Sequence, residues 1–575
     1  MRAAIEVRDL GFTAWDTGTR LLEGIDLKVV PGERIGIVGP SGSGKSTLCM
    51  HLAGIHRQAL VGKTEGVVLL DGQPHDGWGS SGRVGMVFQN PENQIFSSTV
   101  GDEVAFGLPE SSNGRVSEAL TVVGLEGYEG RELFPLSLGQ KQRVVIAAFL
   151  AVQPDILILD EPTNSLDPPT ADRLLDILSK LGVTVILVEH DLERVAGWAD
   201  RVVEMEEGRV IGEGAPETWF SRSTRKPRAF RLTEALSGRY GLQPSSPVPD
   251  RLLAWMDTHR ERFQPLPLHE LSPQRRRERG ALPAPFSGVS LQPPRLRGSN
   301  PKSEIRSPKS EILRFEHVNC GYPGKMPVLS EVGLSVRQGE IVALLGLNAT
   351  GKTTLLKHIG GVLKPRRGRI LIEGEDIVRR KPEELFGKVG LVFQNPDYQI
   401  FDTTVAAECG FCLRNQKVPE AEIAARVDPW LEMLGIGALK ERNPLTLSYG
   451  EKRRLTLASV LVAGPELIAL DEPTTALDEA NITHLREVLI GLSREHGKAL
   501  LIATHDLDFA LDVADRIVIL GEGRVRVDVP VGELSAQSLT DAGFPLPLSA
   551  EAAMRAGLVE RPVGCRRLLE AIRET

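Results

Sequence analysis

Val29–Leu48 reads VVPGERIGIVGPSGSGKSTL, and Val336–Leu355 reads VRQGEIVALLGLNATGKTTL. In each, a short apolar run meets a glycine-rich octet, GPSGSGKS over Gly39–Ser46 and GLNATGKT over Gly346–Thr353. Both octets match G-x-x-x-x-G-K-[ST]. A glycine-rich turn between strand and helix lets backbone amides surround phosphate oxygens at the positive end of the helix. Lys45 and Lys352 are placed to reach the outer phosphates, and the Ser46 and Thr353 hydroxyls to ligate Mg²⁺. One such octet can arise by chance, but two behind apolar strands specify a nucleotide-phosphate site in each half. The second octet has Ala349 where the first has Gly42, and a Cβ there is expected to narrow the turn or constrain φ.

The correspondence extends outward in both directions. DILILDEPTNSLD (Asp155–Asp167) parallels ELIALDEPTTALD (Glu466–Asp478), and TVILVEHDL (Thr184–Leu192) parallels ALLIATHDL (Ala499–Leu507). GMVFQNPENQIFSSTV (Gly85–Val100) parallels GLVFQNPDYQIFDTTV (Gly390–Val405), and even RLTEAL (Arg231–Leu236) echoes SLTDAG (Ser538–Gly543). The order is the same in both copies, at an offset of about 305 to 315 residues, so the chain is an internal duplication. Short runs of Val, Ile and Leu alternate with longer helical patterns, which is the pattern of parallel strands with crossover helices, an α/β fold.

LILDE (Leu157–Glu161) and IALDE (Ile468–Glu472) are apolar strands that end in two acids. The first acid, Asp160 or Asp471, is placed to hold Mg²⁺ through water. The second, Glu161 or Glu472, is placed to polarise an attacking water. An acidic pair after a strand usually marks only a solvated turn. The phosphate loop, the following P-T-x-x-L-D and a later His raise it above that here.

This ordered set is similar to that of the ATP-binding-cassette (ABC) ATPases, and the resemblance spans nearly all of both halves. It implies two tandem P-loop nucleotide-binding domains, each a RecA-like core with an antiparallel β subdomain and a helical signature subdomain. It also implies that the halves close head to tail around two ATP molecules, with Mg²⁺. One composite site would use Lys45, Ser46, Gln89, Asp160, Glu161 and His190, closed by Ser448, Gly450 and Glu451. The other would use Lys352, Thr353, Gln394, Asp471, Glu472 and His505, closed by Ser137, Gly139 and Gln140. Gly39, Ser41, Gly42, Gly44 and Thr47 complete the first phosphate cradle, and Gly346, Asn348, Gly351 and Thr354 the second. Ser46, Gln89 and Asp160, with Thr353, Gln394 and Asp471, are the metal-side groups. Trp15 and Tyr322 resemble the aromatics that stack on adenine, Trp15 only after a one-residue shift. The signatures LSLGQ (Leu136–Gln140) and LSYGE (Leu447–Glu451) depart from the family's L-S-G-G-Q, with Leu138 and Tyr449 replacing the first Gly. Both glutamates and both histidines remain, so two hydrolytic sites are expected, with their relative rates left open.

QNPENQIF and QNPDYQIF resemble the ATPase subunits of energy-coupling-factor (ECF) importers. That resemblance implies two partners, a transmembrane coupling subunit and a small substrate-binding membrane protein, and a place on the cytoplasmic face of the membrane. Each half would then grip its own coupling helix, with a vitamin, a vitamin precursor, cobalt or nickel as the transported species. The bland alternative is that the segment only orders a metal-side glutamine.

Composition agrees with a soluble multidomain protein. The chain has 575 residues, 41% of them hydrophobic and 25% charged, too long for a single core. Its longest apolar runs reach about half the roughly 20 residues needed to span a bilayer. Five scattered cysteines give no disulfide framework, and Cys409 and Cys412 in ECGFC suit a buried helix face better than a redox pair. Residues 221–300 carry fifteen Arg or Lys against six Asp or Glu, with eleven prolines. The echoed tail segment points to a short helical tail over 223–262 after the first domain (1–222), and the proline density to a flexible Pro/Arg-rich linker over 263–310. The second domain is expected over 311–535, with a helical tail over 536–575. A basic linker also occurs in soluble twin-cassette ATPases that act on ribosomes, but those linkers are long helical pairs, and the prolines oppose that. No specific nucleic acid is expected as a partner. A DNA-repair cassette would need zinc-ligand cysteine pairs or an inserted coiled coil, and neither is present.

Overall fold

The computed structural model describes residues 4–574 apart from 16–17, 76–81, 110–112, 165, 244, 267–309, 323–326 and 476. Most of the expected linker therefore lies outside the described residues. The chain forms two compact units, Met1–Thr258 and His259–Thr575. The boundary falls within the expected tail 223–262. Phe263 and Leu266 are buried, and the Leu266 amide donates to the Leu558 carbonyl at 2.7 Å, which ties this short stretch to the second unit.

In the first unit a six-stranded sheet has the spatial order Arg209–Gly214, Arg201–Glu206, Arg34–Val38, Thr184–Val188, Ile156–Asp160, Val84–Val87. All neighbours are parallel except the outermost pair, Arg209–Gly214 with Arg201–Glu206. The second unit repeats this order as Arg524–Pro530, Arg516–Gly521, Ile341–Leu345, Ala499–Thr504, Leu467–Asp471, Val389–Val392. Each unit adds a four-stranded antiparallel sheet, built on Ile5–Ala14 or Glu311–Cys320.

The inner strands are apolar on both faces because each face meets its own core. Successive side chains on a strand point to opposite sides. Ile156 and Ile158 face the core shared with the antiparallel sheet, whereas Leu157 and Leu159 face the core under the signature helix Leu138–Val152. Leu467 and Ala469 against Ile468 and Leu470 repeat this division. Each such fully buried Leu or Ile stabilises the fold by roughly 1.5–3 kcal/mol.

Motif residues double as helix starts. Asp167 and Asp478 accept from the backbone amides of Thr170 and Asn481, and so cap the helices Pro168–Lys180 and Glu479–Arg494. Asp191 and Asp506 cap Leu192–Trp198 and Leu507–Val513 in the same way. Ser137 with Gln140, and Ser448 with Glu451, form capping boxes for the signature helices. The tails seat on the short helices after the histidines. The Ala229 amide donates to Glu193 Oε1 at 2.9 Å, and the Cys565 amide to Asp508 Oδ1 at 3.2 Å. Cys409 is buried and Cys412 half-buried on the helix Val405–Asn415, and burial pushes both thiols up, Cys412 to about 11. Such thiols stay protonated and inert.

Ala349 holds φ +66°, matching Gly42 at +81°, so the second phosphate loop keeps its left-handed turn in spite of the Cβ. That conformation costs a non-glycine residue roughly 1–2 kcal/mol. Space is not the obstacle, since a Cβ at Gly42 meets nothing within 4 Å. Ala349→Gly is therefore expected to stabilise the second unit by about 1 kcal/mol and Gly42→Ala to destabilise the first by a similar amount. Denaturant unfolding of the two variants checks the opposite signs.

Candidate functional site

The groups singled out in the sequence converge at the carboxyl ends of the parallel strands, where open α/β sheets present their ligand sites. Strand Arg34–Val38 runs into the phosphate loop, and Gly44, at φ +92°, turns the chain into the helix Lys45–Leu52. Lys45 is buried at the base of this loop, and its ammonium donates to the Gly39 and Pro40 carbonyls at 3.0 and 2.8 Å. Those contacts hold it across the mouth of the loop.

Asp160 ends its strand fully enclosed. Burial, then the neighbouring Glu161 charge, pushes its carboxyl up to about 7, while the Ser46 hydroxyl and Lys45 pull the other way. Glu161 follows in a left-handed backbone conformation, φ +51°, and Glu472 repeats it at +47°. Non-glycine residues rarely sit there, and such strain gathers at functional sites. The turn folds the second carboxylate back among donors. Gln89 Nε2 donates to Glu161 Oε2 at 2.6 Å, Asn164 Nδ2 donates to the same oxygen, and His190 Nε2 lies 2.7 Å from Oε1. Burial alone would raise the Glu161 carboxyl, but His190, Lys45 and Asn164 hold it below its usual range. His190 is raised in turn, with burial opposed and overcome by Glu161.

The second half assembles the same groups by different bonds. Lys352 donates to the Gly346 carbonyl at 2.5 Å and lies 3.3 Å from Glu472 Oε1. His505 Nδ1 lies 2.9 Å from Glu472 Oε2, which also accepts the His505 amide at 3.1 Å. Against burial, His505 and Lys352 bring the Glu472 carboxyl down to about 2. Burial lifts Asp471 to about 6, with the Thr353 hydroxyl opposing. Gln394 is gripped through its carbonyl, which accepts from the Tyr449 hydroxyl at 3.0 Å and Arg453 Nη1 at 2.7 Å.

Asp160 Oδ1 and both carboxylate oxygens of Asp471 are buried and accept no hydrogen bond of regular geometry. Buried acceptors without donors are costly. Here each stands at the end of a strand beside a phosphate-loop hydroxyl, so the donor set suits a hard cation that bridges to phosphate.

The sequence matches the ABC transporter family over residues 22–164 and 329–475. A protein of Methanosarcina mazei, provisionally named an ABC transporter ATP-binding protein, is 35% identical, with 96% of this chain and 93% of that protein covered. The chain belongs to the ABC transporter family. It is an ATPase of transporter type built from two tandem ABC cassettes. A similarly named protein of Methanosarcina acetivorans is 37% identical over 93% of this chain and 87% of its own length. A solved structure of cbiO1 from Clostridium perfringens, described as part of the ABC transporter complex cbiONQ, is 37% identical. It covers 39% of this chain and 90% of its own, with a TM-score of 0.37.

Within each cassette the Lys, Ser or Thr, Asp, Glu and His of the motifs come together. The signature residues Ser137, Gly139 and Gln140, and Ser448, Gly450 and Glu451, instead start separate long helices. Trp15 is 70% exposed at a strand end, and Tyr322 lies under the Lys357 ammonium, 5.6 Å from the ring centre. Several ABC cassette residues that matter here were not singled out from sequence. Asn164 and the bridging Arg453 differ between the copies, so no repeat marks them, and Tyr449 stood out only as a departure from the signature. Glu103 and Glu408 did carry a signal, because they stand at matched positions after the Gln segment.

Asp160, raised well above the 3.8 of a free carboxyl, binds more protons folded than unfolded between about 4 and 7. Such a group makes stability fall as pH rises through that window. Without divalent cation, Asp160→Asn is expected to stabilise the first cassette at pH 8, by on the order of 1–2 kcal/mol, and not at pH 4. Thermal unfolding in chelator at the two pH values checks this.

Proposed function

We propose that this chain is the energy-coupling ATPase of an ECF-type importer, in which each cassette grips a helix of a transmembrane partner. The observation that carries the reading is an exposed aromatic pair built twice behind the Gln segment. Phe96 and Phe106 are 74% and 71% exposed with ring centres 5.8 Å apart, and Phe401 and Phe411 are 71% and 40% exposed at 6.3 Å. Large apolar rings kept in water in the same place twice favour an apolar or amphipathic partner surface.

Both platforms are stiffly braced. Glu103 Oε2 accepts the Phe96 and Ser97 amides at 3.0 and 2.7 Å, and Glu408 Oε2 accepts the Phe401 and Asp402 amides, both at 2.7 Å. Gln94 is bonded to Phe88 and Met86 main-chain atoms, and Gln399 to Phe393 and Leu391, so each loop is pinned to the strand that feeds it. Gln89 and Gln394 open these loops, so a shift at the nucleotide side is passed to the rings without slack.

In the proposed cycle the cassettes close head to tail around two ATP molecules. The amides of Gly39–Ser46 and Gly346–Thr353 cradle the phosphates, and Lys45 and Lys352 exchange carbonyl partners for phosphate oxygens. Asp160 and Ser46, with Asp471 and Thr353, would hold Mg²⁺, which draws charge from the outer phosphates. Glu161 and Glu472, kept ionised, orient and take a proton from the attacking water, and His190 and His505 steady them. Ser137 with Gly139, and Ser448 with Gly450, close over the nucleotide of the other cassette. Closure would draw the two coupling helices together, and hydrolysis would release them. No helix among the described residues is long and apolar enough to cross a membrane, so in this reading membrane attachment comes through partners.

Glu161→Gln and Glu472→Gln are each expected to cut the ATPase rate by roughly 10²-fold or more while nucleotide still binds. Phosphate release beside equilibrium ATP binding separates the two effects, and full hydrolysis by both variants would remove these glutamates from their role. The partner reading is checked by purifying the tagged chain from its host in mild detergent and low salt. Two small, very apolar proteins are expected with the wild type and not with a Phe96→Asp/Phe401→Asp variant that retains ATP binding. Ribosomal subunits in their place would overturn the importer reading.

A further inference from the structure

Tyr449 stands where the family signature has its first glycine. Its hydroxyl donates to the Gln394 carbonyl at 3.0 Å. One helical turn later, Arg453 is buried, 4% exposed, and its guanidinium spans two segments. Nη1 donates to the carbonyls of Phe393 and Gln394, the latter at 2.7 Å, and Nη2 to those of Asp471, at 2.6 Å, and Glu472. The planar fork of a guanidinium is suited to such a bridge, whereas a single ammonium is not. Four main-chain carbonyls are thus held by two side chains from the first turns of Tyr449–Leu461.

The first cassette lacks both bonds. Leu138 occupies the position of Tyr449 and Gln142 that of Arg453. Gln142 is 1% exposed, and neither its Oε1 nor its Nε2 has a hydrogen-bond partner. An outer tie to the Gln loop is common to both cassettes, Lys141 to Glu92 and Lys452 to Asp397. Where the clamp is missing, Gln89 instead bonds Glu161 directly through its side chain.

We propose that Tyr449 and Arg453 are positioning residues that lock the Gln394 loop and the Glu472 turn to the signature helix, and that they make the two cassettes mechanically unequal. The clamped loop moves with its helix as one body, whereas the first cassette's loop is held to its helix by the outer Lys141–Glu92 tie and to its nucleotide site by Gln89. This rests on reading Gln394 and Glu472 as nucleotide-site residues. The clamp itself lies within one cassette and does not depend on how the two cassettes meet.

The test uses the full chain. Tyr449→Phe removes one hydroxyl and leaves the ring. It is expected to lower kcat for ATP hydrolysis about fivefold, the equivalent of one hydrogen bond, with KM for ATP within a factor of two. Amide hydrogen exchange over 393–399 should quicken, with that over 88–94 unchanged. Arg453→Lys should lower kcat as Arg453→Gln does. If the arginine variants fail to fold, the reciprocal pair Leu138→Tyr/Gln142→Arg tests the same idea, and is expected to slow exchange over 88–94. Unchanged kcat and exchange in Tyr449→Phe, while Glu472→Gln still abolishes hydrolysis, would overturn the clamp alone. An effect carried by KM would also overturn it, since Tyr449 would then act on nucleotide through the signature. Undiminished hydrolysis in Glu472→Gln would overturn the site reading beneath it.

Discussion

Each cassette is organised around two adjacent carboxylates at the end of a buried strand. An apolar interior does not accept two acids side by side, because ionised carboxylates out of water are costly and repel each other. The conflict divides the pair. Asp160 and Asp471, facing inward, are pushed up, and Glu161 and Glu472, turned back by a left-handed residue, are held down by histidine and lysine. The remaining features of the site answer that conflict. The phosphate loop brings Lys45 or Lys352 to it, the neighbouring strand brings His190 or His505, and the unmet oxygens of Asp160 and Asp471 ask for a cation. The proposed division of labour, one acid to hold a metal and one to accept a proton, rests on this split, which follows from where the strand stops.

Much of this was legible in the sequence because the residues involved are fixed by local chemistry. A left-handed turn before Lys45 requires glycine, the inner strands must be apolar on both faces, and Asp at a helix start satisfies free amides. That is why the octets, the LILDE and IALDE strands and the H-D and L-D pairs stand in the same order in both halves. Ala349 shows the limit of such reasoning. The sequence marks it as a misfit, and only the structure shows that the turn keeps its φ and carries the strain.

What was not legible depends on contacts made by residues whose identity differs between the copies. Asn164 reaches Glu161, whereas its counterpart Thr475, half-buried, leaves its hydroxyl oxygen without a bond. In the first cassette Glu189 accepts the His190 amide and the Thr163 hydroxyl, at 3.1 and 2.5 Å. In the second, Thr504 takes that position, and Glu472 itself accepts the His505 amide. The imidazoles consequently meet their glutamates through different nitrogens, Nε2 in one and Nδ1 in the other. A motif records that a histidine is present, not which ring atom it presents.

These differences all lie around the glutamates and the loops that open with Gln89 and Gln394, while the sheets and cores agree strand for strand. A duplication under packing constraint alone would drift most at the exposed surface, where substitutions cost little. Here the exposed Phe pairs are kept, and inner positions diverge: half-buried Leu138 against Tyr449, and buried Gln142 against Arg453 and Glu189 against Thr504. A buried polar group is costly where it finds no partner: Arg453 finds four carbonyls and Glu189 a hydroxyl and an amide, whereas the side-chain amide of Gln142 finds none. The two copies therefore satisfy the same region unequally. The two cassettes thus keep the same exposed Phe pairs and hold their glutamates by different internal linkages.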